Sequence, residues 1–88
     1  MANINFSEDA FEEFLQWGIE NKKEQKRIKD LIKECTRTPF KGKGKPEPLK
    51  NDKEKRWSRR INDKDRLVYK YEEGVLTIYQ CKGHYNDK

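Results

Sequence analysis

The spacing of apolar residues changes near residue 40, and this change most constrains what the chain can fold into. Before it, Ile28, Leu31, Ile32 and Cys35 recur at i, i+3, i+4 and i+7, which predicts an amphipathic helix from about Lys22 to Cys35. Beyond residue 56 apolar and polar residues alternate, which predicts half-buried strands. We therefore expect an α+β fold in which two N-terminal helices pack on an antiparallel sheet.

A short strand and the first of the two helices are predicted ahead of Lys22. Residues 3–6 alternate polar and apolar side chains, as a strand does. Ser7 is a favourable N-cap, and several carboxylates follow it in the first turns, where they complement the helix dipole. The apolar face of this helix is predicted to comprise Phe11, Phe14, Leu15 and Gly18.

The second half of the chain is predicted to form a meander of three strands, which gives the element order βααβββ. The strands are expected at residues 57–61, 66–71 and 75–81. A turn is expected at residues 62–65 and a hairpin connection at residues 72–74. Alternation in the first strand assigns two faces, with Trp57, Arg59 and Ile61 on one and Ser58 and Arg60 on the other.

The composition of the chain indicates one small domain, spanning residues 1–88, with a modest core and a highly charged exterior. Hydrophobic residues make up 32% of the sequence and charged residues 42%. No stretch has the apolar length of a membrane span, and the first residues lack a signal-peptide pattern. Cys35 and Cys81 are too few and too distant for a metal cluster, so we expect reduced core thiols in a cytoplasmic protein.

Positive charge is concentrated in the middle of the chain. Residues 41–70 contain twelve Lys and Arg against five Asp and Glu, whereas residues 1–40 contain seven against eight. A basic segment between nearly neutral flanks is typical of a protein with a polyanionic partner. We expect nucleic acid and no membrane, because the basic run is not an amphipathic helix with an apolar face.

The most basic part of this middle region surrounds a single carboxylate. Glu47 lies between Pro46 and Pro48, which restrict the backbone on both sides of it. Gly42 and Gly44 allow the upstream backbone to turn. The lysines around this carboxylate are Lys41, Lys43, Lys45 and Lys50. The segment has two open interpretations: a solvated surface loop, or a basic arm that presents one acid to a partner.

Residue types able to transfer protons and bind phosphate occur at predicted loops and strand ends. Glu47 precedes the meander, Arg66 opens its second strand, and His84 and Tyr85 follow its last strand. A meander can bring such distant positions to one concave face. Because His84 is the only histidine, a histidine-rich metal site is excluded, and we expect no metal or other cofactor.

Each of these residues also has a plainer interpretation. Glu47 could be an exposed ion-pair partner of the surrounding lysines, and Arg66 could pair with Asp63 or Asp65 at the start of its strand. A lone histidine near a C-terminus is usually a solvated side chain. Tyr85 could simply stack on the sheet.

Four motifs together make the sequence resemble a known family. They are TPFKGKGKPEPLK from Thr38, RWSRRI from Arg56, RLVY from Arg66, and HY at His84. In order and spacing they resemble the YoeB/Txe toxins, within the RelE-like group of ribosome-dependent messenger-RNA endonucleases. Weaker similarity extends through the helices. The resemblance implies a microbial-ribonuclease-like fold of two helices on a sheet.

The resemblance also implies a role for each candidate residue. It makes Glu47 the general base, Arg66 the phosphate-binding cation, His84 the general acid and Tyr85 a supporting or stacking residue. The basic residues implied to contact RNA phosphates are Lys41, Lys43, Lys45, Lys50, Arg59 and Arg60. The product would be a 2′,3′-cyclic phosphate or its hydrolysed 3′-phosphate, and no metal would be required.

The implied partners are messenger RNA, the ribosome and a YefM-like antitoxin, with operator DNA bound only through the antitoxin complex, and a homodimer is expected. Asn86, Asp87 and Lys88 extend past the point where the family pattern usually ends. Two other functions remain open at this point. One is a ribosome- or RNA-binding module without catalysis, and the other is a ParE-like inhibitor of DNA gyrase.

Overall fold

The computed structural model describes residues 3–83, which form two helices and one five-stranded sheet. The elements are β1 (Asn3–Phe6), α1 (Glu8–Glu20), α2 (Lys22–Arg37), β2 (Glu47–Pro48), β3 (Trp57–Arg60), β4 (Arg66–Glu72) and β5 (Val75–Gln80). Across the sheet the strands run in the order β1-β5-β4-β3-β2. This architecture confirms the predicted α+β class with two N-terminal helices on a sheet.

The sheet is antiparallel except at one edge, where β1 pairs parallel to β5. β3, β4 and β5 are consecutive in the chain and joined by short turns, so each pair is antiparallel. β1 and β5 are separated by both helices and three strands, a connection long enough to bring them together in the same direction. The sheet is therefore mixed, a detail that the predicted antiparallel sheet did not include.

Both helices begin at the residue types that favour helix initiation. Ser7 accepts a hydrogen bond from the Ala10 amide at 3.1 Å, and Asn21 accepts one from the Glu24 amide at 3.2 Å. Asn21 also ends α1, so the two helices form a tight hairpin. α2 ends at Arg37, two residues beyond the predicted Cys35, and Thr38 is its C-cap.

The core lies between the helices and one face of the sheet. α2 contributes the four residues predicted from its spacing, all buried. In α1 the buried positions are Ala10 and Trp17, with Phe14 packed beside them, whereas Phe11 and Leu15 are each 51% exposed. The predicted apolar face of α1 was therefore wrong at Phe11 and Leu15. Trp17 helps to determine which face of α1 packs on the sheet, because its indole N–H donates a hydrogen bond to the Cys81 carbonyl at 2.8 Å inside the core.

No helix among residues 3–83 combines the length and apolar character needed to cross a bilayer. Cys35 and Cys81 are both buried and unpaired. Burial raises the pKa of the Cys35 thiol to about 11 and that of the Cys81 thiol to about 12. Both are thus protonated core side chains at neutral pH, as predicted for them, and poor nucleophiles.

Candidate active site

The face of the sheet opposite the helices is open and carries the polar residues of the strands. Since antiparallel partners point to the same side, Glu47 on β2 shares this face with its partner Ser58 on β3, and Ser58 shares it with Val68 on β4. The row ends at Gln80, the partner of Val68 on β5. The row thus contains one exposed acid, two polar side chains and one valine across four strands, and its two middle members, Ser58 and Val68, are buried.

Glu47 lies at the edge of this face, on a strand that the sequence did not predict. β2 is only two residues long, and Pro48, which has no N–H to donate, fits an edge strand. The Leu49 amide extends the pairing by donating to the Arg56 carbonyl at 3.0 Å. Glu47 is therefore held by the sheet at its backbone while its side chain is 65% exposed.

Arg66 lies on the same face, two strands away from Glu47. Its Nη1 atom is 3.9 Å from Glu47 Oε1, and its side chain is only 24% exposed. At this distance and exposure the ion pair contributes less than about 1 kcal/mol to stability, so both groups stay available to a substrate. The sequence suggested Asp63 or Asp65 as the partner of Arg66, whereas the structure pairs it with Glu47. Asp65 is buried and accepts a hydrogen bond from the Gly83 amide.

The basic loop that precedes Glu47 runs beside β3. The Arg60 amide donates to the Gly44 carbonyl at 2.7 Å, and Gly44 has φ +82°. A side chain at Gly44 would come within 3.0 Å of the Arg60 carbonyl oxygen, so only glycine allows this close approach. Five predicted RNA contacts are exposed to solvent: Lys41, Lys43, Lys45, Lys50 and Arg60.

Arg59, the sixth predicted RNA contact, is placed elsewhere. It is 0% exposed and lies on the helix side of the sheet. Its guanidinium donates to the carbonyls of Thr38, Lys41 and Lys43 at 2.5, 2.9 and 3.0 Å, and its Nε donates to the Tyr69 hydroxyl at 3.2 Å. With its donors used and its side chain buried, Arg59 cannot reach an RNA phosphate. We therefore correct its assignment from RNA contact to internal anchor of the basic loop.

The internal role of Arg59 had a signal in the sequence. Alternation already assigned Arg59 to the same side as Trp57 and Ile61, the side that the helices cover. Tyr69 completes the anchor by donating to the Pro39 carbonyl at 2.6 Å, and burial raises the pKa of its hydroxyl to about 12. The hydroxyl is therefore a permanent donor in this cluster at any physiological pH.

The C-terminal side of the site is described as far as Gly83. The Gly83 carbonyl accepts hydrogen bonds from the Arg66 amide and the Gln80 side chain, both at 3.0 Å. Gly83 therefore joins the end of the sheet at which Arg66 is located. The two remaining predicted catalytic residues, His84 and Tyr85, lie outside the described residues.

At the other end of the open face lies a cavity of about 420 Å³, lined by Lys70, Glu72, Glu73, Val75, Thr77 and Tyr79. Its charges are mixed, and Lys70 is paired with Glu72 at 3.2 Å. Among residues 3–83 no three His, Cys, Asp or Glu side chains group closely enough to hold a metal ion. The arrangement best suited to chemistry in the described structure is therefore the Glu47–Arg66 end of the face: a carboxylate to accept a proton and a cation to hold a phosphate.

The chain matches the profile of a family described as the YoeB-like toxin of bacterial type II toxin-antitoxin systems, over residues 6–85. It is 48% identical to toxin YoeB of Streptomyces coelicolor over 82 residues, covering 93% of this chain and 98% of that toxin. Its fold superposes on a YoeB dimer from Staphylococcus aureus with a TM-score of 0.89, at 41% identity and with 96% and 98% of the two chains covered. A YoeB-YefM complex from the same organism matches with a TM-score of 0.85 at 41% identity, covering 97% and 99%. These similarities span nearly the whole of each chain, and the protein belongs to the YoeB-like toxins of bacterial type II toxin-antitoxin systems.

Proposed function

We propose that this YoeB-like toxin is an endoribonuclease that cleaves messenger RNA in the ribosomal A site and thereby inhibits translation. The observation that carries the proposal is the placement of Glu47 and Arg66, 3.9 Å apart on an open face of the sheet. The Glu47 carboxylate contributes little to the stability of the fold, since it is 65% exposed and the pair is long.

The proposed reaction uses the nucleophile that RNA itself carries. The Glu47 carboxylate takes the proton of the ribose 2′-hydroxyl, and the 2′-oxygen attacks the adjacent phosphorus. Arg66 neutralises the charge that builds on the phosphate oxygens. His84 donates a proton to the departing 5′-oxygen, while Tyr85 supports or stacks against the substrate. The products are a 2′,3′-cyclic phosphate and a 5′-hydroxyl, and no step requires a metal ion.

RNA binding is assigned to the exposed cations of the segment around Glu47 and of β3. They are Lys41, Lys43, Lys45, Lys50 and Arg60. Arg60 is the cross-strand partner of Arg66, so the two guanidinium groups project from the same side of the sheet. Contacts of this kind position a phosphate backbone without reading its sequence.

The decisive experiment is a translation reaction on a defined messenger, with new 5′ ends mapped by primer extension. Wild type is compared with Glu47→Gln and His84→Gln. We expect a cut within the A-site codon for wild type and a loss of at least about 100-fold in each variant, the lower end of a general acid or base contribution. Glu12→Gln serves as the matched control, because Glu12 is an exposed carboxylate on α1.

Two outcomes would contradict the proposal in different ways. Inhibited translation without a cut, equal in all variants, would identify a ribosome-binding module without catalysis. No effect on translation, together with inhibition of DNA supercoiling by gyrase, would identify a ParE-like inhibitor. Retained cleavage by His84→Gln alone would remove only the acid assignment.

We also infer a YefM-like antitoxin and a homodimer as partners, since YoeB relatives have been solved as a dimer and as a YoeB-YefM complex. An acidic antitoxin segment that folds on binding would cover the exposed lysines. Adding such an antitoxin to the translation reaction should abolish the cut, and sedimentation should show a dimer. An antitoxin that binds while cleavage continues would place its site away from the open face.

A further inference from the structure

Each of the three residues that follow β5 is bonded to a side chain from another part of the chain. The Cys81 amide donates to Glu13 at 2.8 Å, and its carbonyl accepts from the Trp17 indole at 2.8 Å. The Lys82 ammonium pairs with Glu20 at 2.7 Å. Three side chains of α1 thus hold the first two residues of this segment.

The third residue, Gly83, is held at both of its backbone polar groups. Its amide donates to the Asp65 carboxylate at 2.6 Å, while its carbonyl accepts from the Arg66 amide and from Gln80. Asp65 and Arg66 are adjacent in the chain, so two neighbouring residues bind the amide and the carbonyl of Gly83. Gly83 is also the residue that precedes His84 in the sequence.

Asp65 is not a typical turn carboxylate. It is 6% exposed, whereas Asp63 in the same turn is exposed. A carboxylate withdrawn from water in this way is costly unless hydrogen bonds compensate it. The Asn62 side chain shapes the turn by accepting from the Asp65 amide at 2.7 Å, and this leaves the Asp65 carboxylate directed at the Gly83 amide.

We propose that Asp65 is a positioning residue for the cleavage reaction: by holding Gly83, which also accepts from the Arg66 amide, it fixes the backbone beside the proposed phosphate-binding cation. The proposal rests on the proposed ribonuclease function. Arg66 binds the phosphate with its side chain and Gly83 with its amide, so Asp65 and Arg66 together hold the residue that precedes the proposed acid in the sequence close to the phosphate site. A displacement of about 1 Å between such groups can cost about 100-fold in rate.

The test compares Asp65→Ala, Asp65→Asn and the matched control Asp63→Ala in the ribosome-dependent cleavage assay, with kcat and KM measured separately. We expect Asp65→Ala to lower kcat by about 10- to 100-fold with KM changed less than about threefold, because the exposed lysines that bind RNA are untouched. Asp65→Asn should recover most of the lost kcat, since its amide oxygen still accepts from Gly83. Asp63→Ala should behave as wild type.

An activity-independent measurement accompanies the kinetics: hydrogen exchange of the Gly83 amide by NMR, with circular dichroism as the check on folding. Protection of that amide should be high in wild type and Asp63→Ala and lost in Asp65→Ala. Should Asp65→Ala not fold, Gln80→Ala removes a donor to the Gly83 carbonyl without touching Asp65 and should lower kcat by about 3- to 10-fold with KM unchanged.

The outcomes separate the two proposals. A wild-type protein that cleaves, beside an Asp65→Ala protein with normal kcat and an unprotected Gly83 amide, would overturn the positioning role alone. Equal loss of kcat in Asp65→Ala and Asp65→Asn would also overturn it, because the hydrogen bond would then not be what matters. A folded wild type that does not cleave would overturn the ribonuclease function, and the positioning role with it.

Discussion

Two irregular segments lead to the candidate site from opposite ends of the chain, and they are held in opposite ways. In residues 38–45, upstream of Glu47, backbone carbonyls are bound by the buried guanidinium of Arg59. In residues 81–83, upstream of His84, backbone amides are bound by the carboxylates of Glu13 and Asp65. One segment is secured by a cation that donates, and the other by anions that accept.

The difference lies in how the hydrogen bonds are distributed. A single residue satisfies three carbonyls of the basic loop and Tyr69 satisfies a fourth, so that anchor depends mainly on the Arg59 side chain. The C-terminal segment is held by side chains from α1, the turn before β4, and β5, each making one contact. Buried backbone groups must be paired in either case. We therefore expect that removing Arg59 causes one large loss of stability, whereas removing any one contact of the C-terminal segment causes a small loss.

The largest effect is expected for Arg59→Ala. This substitution leaves three carbonyls and the Tyr69 hydroxyl without the Arg59 donor and opens a cavity. The free energy of unfolding should therefore fall by roughly 3–5 kcal/mol. Arg59→Lys should recover little, because an ammonium cannot reproduce the planar fork. Urea unfolding is the measurement, and Arg60→Ala, the exposed neighbour, should change stability by less than about 0.5 kcal/mol. A mild effect at Arg59 would show that the loop is held by other contacts.

A second prediction concerns the close approach of the basic loop to β3. Gly44 and Gly74 have nearly the same φ, +82° and +79°, but a side chain at Gly44 would meet the Arg60 carbonyl, and one at Gly74 would meet nothing within 4 Å. Gly74→Ala should cost roughly 1 kcal/mol from the backbone conformation alone. Gly44→Ala should cost about 1 kcal/mol more from the steric contact. If thermal unfolding shows the same loss of stability for Gly44→Ala and Gly74→Ala, the basic loop can move away from β3.

A smaller effect is expected from one contact of the C-terminal segment. Glu13→Ala removes the acceptor of the Cys81 amide and should destabilise the protein by about 1–2 kcal/mol. Glu13→Gln keeps an acceptor for the Cys81 amide and should therefore lose less stability than Glu13→Ala. The neighbouring exposed Glu12→Ala provides the comparison in urea unfolding. A loss as large as that of Arg59→Ala would contradict the small loss expected for any one contact of this segment.

The smallest effect concerns acid stability. Asp52 accepts from the Arg56 side chain and amide, and these hydrogen bonds lower the pKa of its carboxyl to about 2 from an ordinary value of 3.8. Because the folded pKa is the lower one, the pair stabilises the fold above about pH 4 and loses that contribution as the pH falls toward 2. Asp52 is 8% exposed but Arg56 is 23% exposed, so solvent screens the pair and we expect no more than about 1 kcal/mol.

Urea unfolding of wild type and Asp52→Asn between pH 2 and 6 checks this. The difference between the two proteins should be constant above about pH 4 and vanish near pH 2. The Arg59 anchor provides the contrast, since its acceptors are carbonyl oxygens and the hydroxyl of Tyr69, whose pKa is about 12. The destabilisation caused by Arg59→Ala should therefore not depend on pH in this range.

Much of the fold follows from local patterns in the sequence. The helical spacing of α2, the N-cap Ser7 and the alternation in β3 each act within a few residues, so they predict their elements well. Glu47 and Arg66 were identified through the resemblance of their motifs. β2 was missed, because a two-residue strand with a proline has no pattern of its own and forms only where β3 offers an edge.

The sequence by itself determined both helices and every strand except β2, because periodicity, caps and turns depend on neighbours along the chain. Only the tertiary structure decided the face of α1 that is buried, the parallel pairing of β1, and the use of Arg59 inside the protein. It also decided that Asp65 meets Gly83, eighteen residues later in the chain. These features depend on backbone groups that are distant in sequence and must be satisfied where packing brings them together.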